Sequence, residues 1–495
     1  MKRPGGALVP RLAGLDDADG MPMYRQVYRR LRAAILGGAL PHGTRLPSTR
    51  QLAAELDLSR NTVEVAFEQL RAEGFIERRV GAGSFVAMSR TDRPVAPAGR
   101  TRSARASESA SLLSARGRLV AEAGTRAGQA ASRTFAPCVP GLQDFPVALW
   151  NRVLAKRARL GGGALLETGD PAGYRPLREA TAAYLGAVRG VQCDWRQVLI
   201  VGSTQQALDL VARLVLDPGD EAWIEEPGYL GARAALAAAG ARLVPVPVDA
   251  DGIVVEQGVA LAPRARLAYV TPSHQYPLGV TTTLARRVAL LAWAERAAAW
   301  IVEDDYDSEF RYAGRPLAAV QGLDRSGRVL YTGTFNKVMF PSLHVAYLVV
   351  PPGLAERVVA ARAVTDGPVA TLAQAALADF IGDGHFAAHI RQMRRLYEER
   401  RDVLRHELAQ RLGTLLTVAH AEAGLHLAAL LPRGVDDRPL STAAAAAGLD
   451  VPPLSRYYLG RPSRRGLVLN FAGTARAEII AGVRTLARVA SKMDR

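Results

Sequence analysis

Cysteine is nearly absent from this chain of 495 residues: Cys138 and Cys193 are the whole supply. Two thiols build neither a disulfide framework nor a zinc cluster, so no metal is expected and a reducing, cytoplasmic location is. Long apolar runs are missing too. Arg, Asp or Pro interrupts every hydrophobic stretch before about 18 residues, so neither a transmembrane helix nor a membrane partner is expected. Lys2 and Arg3 are followed by no continuous apolar segment, and the start does not read as a signal peptide. No repeat of fixed period is visible. Acids are short as well: 47 Asp and Glu face 63 Lys and Arg, a net charge of +16. An anionic partner follows, nucleic acid first. A genome that writes arginine freely would give the same excess, so charge alone decides nothing.

What is there divides along the chain. Residues 1–20 read as a loose leader and 21–88 as a compact patterned block. Residues 89–133 carry nine arginines against three acids, with few large apolar side chains to offset ordering entropy. They read as a flexible basic linker, a short helix aside. From 134 to 490, apolar runs alternate with helical stretches.

In the first block, Val27, Tyr28, Leu31 and Ile35 put an apolar face on a helix from Tyr24 to Leu36, which Gly37-Gly38 ends. Ser48 caps a second helix and Ser59 a third, with Asp57-Leu58 as the turn between them. Val63, Phe67 and Leu70 form the buried stripe of the third helix, and Gly74 stops it. Two short strands, Phe75–Glu77 and Ser84–Val86, flank Val80-Gly81-Ala82-Gly83. Helix, helix-turn-helix and hairpin wing make an α+β DNA reader for double-stranded DNA. The third helix presents Ser59, Arg60, Asn61 and Thr62 in its first turn, groups suited to phosphates and base edges in a major groove. Gly81 and Gly83 let the wing backbone come close to the duplex.

The larger region predicts strands at Gln197–Val201, Glu221–Ile224, Leu243–Pro247, Leu267–Val270, Trp300–Glu303 and Val329–Thr332. Helices such as Gln205–Leu216, Ala232–Ala239 and Leu284–Ala298 lie between them. Such alternation implies an α/β domain with a mainly parallel sheet, its ligand at the carboxyl ends of the strands. Four strand ends carry what pyridoxal phosphate (PLP) chemistry needs. Lys337 offers an amine for an imine. Asp304 offers an acid for the pyridine nitrogen, with Tyr306 two residues on. Ser203, Thr204 and Gln205 open a helix whose N-terminus suits a phosphate. Tyr229 offers a ring to stack, and His274 and Gln275 follow a further strand end.

The run LPSTRQLAAELDLSRNTVEVAFEQLRAEGFIERRVGAGSFV resembles the GntR-type winged helix of bacterial regulators. With GDPAGYRPLREATAAYL, GSTQQALDL, PGY, TPSHQYPLG, EDDYDSEFRY and GTFNK in that order, most of 20–490 resembles the MocR subfamily, in which this winged helix is fused to a fold-type I PLP-dependent transferase domain. The resemblance implies DNA contacts from Arg50, Arg60, Thr62 and the Gly81–Gly83 wing, with Ser59 and Asn61 as weaker candidates. It implies Lys337 as the imine lysine, Asp304 on the pyridine nitrogen, Tyr306 on the phenolic oxygen, Tyr229 stacked, and Ser203, Thr204 and Gln205 around the phosphate; His274 is placed in the same pocket. A homodimer and a small amine or amino-acid effector are implied too. Four residues depart from the family pattern: Asn336 replaces a Ser, His344 and Gly473 each replace an Arg, and Thr168 replaces a Tyr. The expected function is a DNA-binding regulator that responds to PLP or an adduct of it and is not an enzyme, residual partial transamination aside. The alternatives are an aminotransferase with a DNA-binding appendage and a regulator whose large domain only dimerises.

Overall fold

Val27, Leu31 and Ile35 recur at helical spacing, and they lie buried on one face of helix α1, Met23–Leu36. Helix α2, Thr49–Leu56, begins where Ser48 accepts a hydrogen bond from the backbone of Gln51. It ends at Asp57, whose left-handed backbone (φ 53°) turns the chain toward helix α3, Arg60–Ala72. Ser59 caps α3, and Val63, Ala66, Phe67 and Leu70 pack it onto the other two helices. Strands β1, Ile76–Arg79, and β2, Gly83–Val86, pair antiparallel with Ile76 opposite Val86. This is a winged helix-turn-helix. The computed structural model describes residues 21–87, 133–314, 318–418 and 422–493, plus a few positions between 113 and 121. The leader at 1–20 and most of the basic segment 89–133 therefore lie outside the described residues; within that segment 116–118 and 120–121 are helical.

Contacts group the chain into two units, Met1–Glu108 and Ser109–Arg495. The second unit is built on an eight-stranded sheet of β3 (Val198–Val201), β4 (Glu221–Glu226), β5 (Arg242–Asp249), β6 (Gly252–Ile253), β7 (Leu267–Val270), β8 (Trp300–Asp305), β9 (Val329–Thr334) and β10 (Ala346–Val349). Their order is β3-β10-β9-β8-β7-β4-β5-β6. Strands β5, β4, β7, β8 and β9 pair parallel in sequence. Strand β10 runs against both neighbours, β3 and β9. Every residue of β3, β7, β9 and β10 is buried, the pattern of a sheet covered on both faces.

The expected strands and helices are present with shifts of one or two residues at their ends. Two features were not expected. One is antiparallel β10. The other is a three-stranded antiparallel sheet of β11 (Thr417–Val418), β12 (His426–Leu430) and β13 (Gly466–Asn470), packed with the long helix His385–Leu412 and the helix Arg476–Met493 in one apolar core. No described helix is long and apolar enough to cross a membrane.

Candidate functional site

Parallel strands end on one side of a sheet, so the segments that follow them meet there. Ser203 follows β3, Tyr229 follows β4, Thr271 follows β7, Asp304 and Tyr306 close β8, and Lys337 follows β9. All of them line one cavity of ≈ 220 Å³, together with Thr204, Gln205 and Asn336. Seven of the eight residues expected to hold a cofactor are thus brought together. His274 is the exception and corrects the expectation. It is 1% exposed and stands behind Tyr306, with Nδ1 3.0 Å from an Asp307 oxygen and 3.0 Å from the Tyr306 hydroxyl. Tyr306 donates to the carbonyl of His274 at 2.9 Å, so its phenol is fixed from behind. The sharp turn after β7 carries His274 inward, and Gly424, whose Cβ would collide with the imidazole, leaves it room.

The cavity's charges are few. Lys337 donates from Nζ to the carbonyl of Cys138 at 2.8 Å. Sequence reasoning missed Cys138, which reaches the site from a segment 199 residues away and carries no local signal. Asp304 accepts from the Tyr269 hydroxyl on Oδ2 at 2.7 Å, while Oδ1 is buried with no protein partner. Burial raises the Asp304 carboxyl to about 7, against the opposing Tyr269 hydrogen bond and with help from the negative charges of Asp305 and Asp307. Ser203 caps helix α4, Thr204–Val215, by accepting from Gln206, and Gln205 donates to the carbonyl of Gly231. Tyr229 meets Tyr276 edge to face, with ring centroids 6.0 Å apart.

The departures have structural readings. Asn336 donates to the carbonyl of Gly202 and accepts from the backbone of Val345, tying the lysine loop to the ends of β3 and β10. His344 is exposed, has a left-handed backbone (φ 51°) and does not line the cavity. Gly473 is exposed and does not line the cavity; a Cβ there would lie 2.7 Å from the carbonyl of Val139. Thr168 is exposed, in the turn before Gly169-Asp170.

The donor set fits PLP. The amine, the unpaired acid oxygen, the capped helix end and the tyrosine ring are what imine, pyridine nitrogen, phosphate and ring face require.

In the winged-helix unit, α2, α3 and the wing enclose a concavity of ≈ 680 Å³. Arg50, Arg60 and Gly83 line it, as do Arg45, Arg71 and Arg78, which sequence reasoning did not single out. The doublet Arg78-Arg79 beside the wing glycines was the available signal. Glu64 lies within 3.5 Å of Arg60 and 4.0 Å of Arg78, an acid beside two largely exposed guanidinium groups. Ser59, Asn61, Thr62 and Gly81 stay outside the concavity. The Ser59 and Thr62 hydroxyls are 2.7 Å apart and bonded to each other, which leaves them less free for a ligand than expected. Asn61 and Gly81 are exposed.

A winged helix and a large α/β unit with a strand-end cavity define a DNA-binding protein with an aminotransferase-like domain. Residues 23–86 match "Bacterial regulatory proteins, gntR family" and 143–449 match "Aminotransferase class I and II". The chain is 45% identical over 476 residues, 95% of itself and 94% of the relative, to the "Probable rhizopine catabolism regulatory protein MocR" of Rhizobium meliloti. It is 29% identical over 459 residues, 90% and 91% of the two chains, to the "HTH-type pyridoxine biosynthesis transcriptional regulator PdxR" of Corynebacterium glutamicum. Among solved structures, it is similar to the kynurenine aminotransferase of Pyrococcus horikoshii (TM-score 0.69, 28% identity, 79% of this chain and 96% of that one). It is likewise similar to LysN, the α-aminoadipate aminotransferase of Thermus thermophilus (TM-score 0.72, 27% identity, 78% and 98%). The chain belongs to the MocR-type transcriptional regulators of the GntR family.

Proposed function

We propose that this regulator binds PLP in the strand-end cavity and that the bound cofactor, or an adduct of it with a small amine, alters how the winged helix engages DNA. One observation carries the proposal: the Lys337 amine, the unpaired Asp304 oxygen and the N-terminus of α4 converge on one cavity. When bound, the cofactor supplies a carbonyl that condenses with amines. Lys337 would hold it through that carbonyl, and Asp304 would keep its ring nitrogen protonated. Ser203, Thr204 and Gln205 would hold the phosphate with hydroxyls, an amide and the helix end. Tyr229 would cover the ring, and Tyr306, braced by His274, would meet the phenolic oxygen.

Arg45, Arg50, Arg60, Arg71 and Arg78 make the winged helix a phosphate-binding surface, and Arg60 and Arg50 can reach base edges. Ser59, Asn61, Thr62, Gly81 and Gly83 would add shorter contacts. A homodimer suits paired half-sites on DNA. The apolar side chains Leu160 and Leu166, 72% and 88% exposed, precede the GDPAG segment and favour a second copy as cover. Residues 89–133 would then act as a basic tether between DNA reader and sensor.

Footprinting on the chain's own upstream DNA, with and without PLP, tests the reading. A footprint that changes with PLP supports it, and one indifferent to PLP overturns it. Sustained turnover of an amino donor with an oxo acid would replace the regulator by an enzyme.

A further inference from the structure

When the cavity is used, Lys337 is the side chain that must change partner. With its amine free, Nζ donates to the main-chain carbonyl of Cys138 at 2.8 Å, and both residues line the cavity. Among the described residues this carbonyl accepts from no other group. Cys138 has a left-handed backbone (φ 62°), uncommon for a residue with a side chain.

The carbonyls on either side are held by other groups. Asn470, 1% exposed at the end of β13, donates from Nδ2 to Ala136 at 2.6 Å and to Val139 at 2.8 Å. The backbone of Asp450 donates to Thr134 at 2.9 Å. The backbone of Phe135 donates to the Thr474 hydroxyl at 3.2 Å, and that of Gly141 to the Tyr397 hydroxyl at 2.7 Å. Asn470, Asp450, Thr474 and Tyr397 do not line the cavity, so what fills it leaves their bonds in place. The lysine's bond to this segment is the one that a ligand in the cavity can break.

Given that the cavity holds PLP, the break follows from the hydrogens on Nζ. A lysine ammonium carries three donors. In condensing with an aldehyde, Nζ forms a double bond to the aldehyde carbon, and two of its hydrogens leave with the aldehyde oxygen as water. The hydrogen that remains points where the new double bond fixes it. A primary amine reverses this: its nitrogen takes over the carbon, and Nζ returns as a free amine with hydrogens to donate. We propose that the Cys138 carbonyl is the seat of the free Lys337 amine, and that residues 134–141 are tightened when the seat is filled and loosened when it is empty. Lys337 leaves the seat on joining the cofactor and returns when an amine takes its place. Cofactor-free and amine-loaded protein are therefore alike at this segment, and protein with cofactor alone stands apart. The segment comes next in the chain after the basic stretch assigned as the tether, which ends at residue 133.

The test reads one peptide bond. Cys138-Val139 is the only Cys-Val pair in the chain, so full-length protein isotope-labelled at cysteine carbonyls and valine nitrogens gives a single carbonyl-to-amide NMR correlation. Without cofactor, Lys337→Met, similar in length but with no donor, should move that carbonyl resonance to lower frequency than in the wild type. Hydrogen exchange of the peptide 134–141, read by mass spectrometry, should become roughly fivefold faster, about what one hydrogen bond is worth. Wild-type protein loaded with PLP should show both changes, and n-propylamine, added until the visible band shifts, should reverse both. This titration needs no variant and stands even if Lys337→Met fails to fold. A resonance unmoved in folded Lys337→Met overturns the seat, and unchanged exchange overturns the tightening. A resonance that PLP moves and propylamine does not restore overturns the return of the lysine. A protein that develops no visible band with PLP removes the cofactor reading, and Lys337→Met then still decides the seat.

Discussion

In the winged-helix unit the arginines that line the concavity include Arg60 and Arg78, both largely solvated and both beside Glu64. At the strand ends of the larger unit, the groups set for an anion are a capped helix terminus and hydroxyls, in a cavity whose charged neighbours are mostly acids. Full charges in water attract a phosphate at long range, and salt screens them. Oriented amides and hydroxyls in a closed space act at short range, and salt screens them little. Two anion sites of such different kinds would let one chain grip a polymer loosely and reversibly while selecting a small anion by shape.

The sharpest way to break the comparison is at Lys337. Lys337→Ala should abolish the visible band near ~420 nm in reconstituted protein while leaving DNA binding measurable; loss of both would mean that the two functions are not separable. Next comes salt. Raising it from roughly 50 to 200 mM should weaken DNA binding by about a hundredfold or more in a gel-shift or anisotropy assay. PLP affinity, read from the visible band, should move far less. Arg60→Ala should cost about 1–3 kcal/mol of specific DNA affinity and leave the band unchanged.

A smaller effect is expected from pH. Burial raises Asp304 and Glu225 to about 7 each. Unfolded carboxyls ionise near ~4, so between about 4 and 7 the native state binds more protons than the unfolded one. Stability of the cofactor-free protein should therefore fall as pH rises through that window, read as a Tm lower by a few degrees at pH 8 than at pH 6. An unchanged Tm would show that these acids are paired in solution. Smallest is Ser59→Ala, which removes the cap of α3 and should cost about 1 kcal/mol, seen in denaturant melts of the DNA-binding unit.

Much of this was legible in the sequence because local signals carried it. Ser48 and Ser59 announce helix starts, and apolar runs ending in Gly-Ser, Pro-Gly-Tyr or Glu-Asp-Asp announce strand ends. Strand ends of a parallel sheet meet, so Lys337, Asp304, Tyr229 and Ser203 could be grouped by their order along the chain alone. Direction is different. The buried run Ala346–Val349 has the same apolar pattern whichever way it points, and nothing local marks β10 as reversed. Strands β12 and β13 pair across the long intervening segment 431–465, and that pairing is decided by packing. His274 follows a strand end as Asp304 does, but a turn of two or three residues decides which side of Tyr306 it occupies. Cys138 joins the site only through tertiary folding. Arg45 and Arg78 look like ordinary surface charges until the helices and the wing bring them onto one concave face.

The reversed strand β10 also acts as a spacer. Neighbouring strands lie about 4.8 Å apart, so inserting one between β3 and β9 sets the helix-capping serine and the lysine loop roughly 10 Å from each other. Because β10 runs the other way, it begins at the cavity edge and sends no loop of its own across the opening from its far end. Asn336 bridges the interval with two hydrogen bonds. The width of the chamber, and with it the size of flat ring that fits between phosphate grip and amine, is thus written into the order of the strands and not into any one side chain.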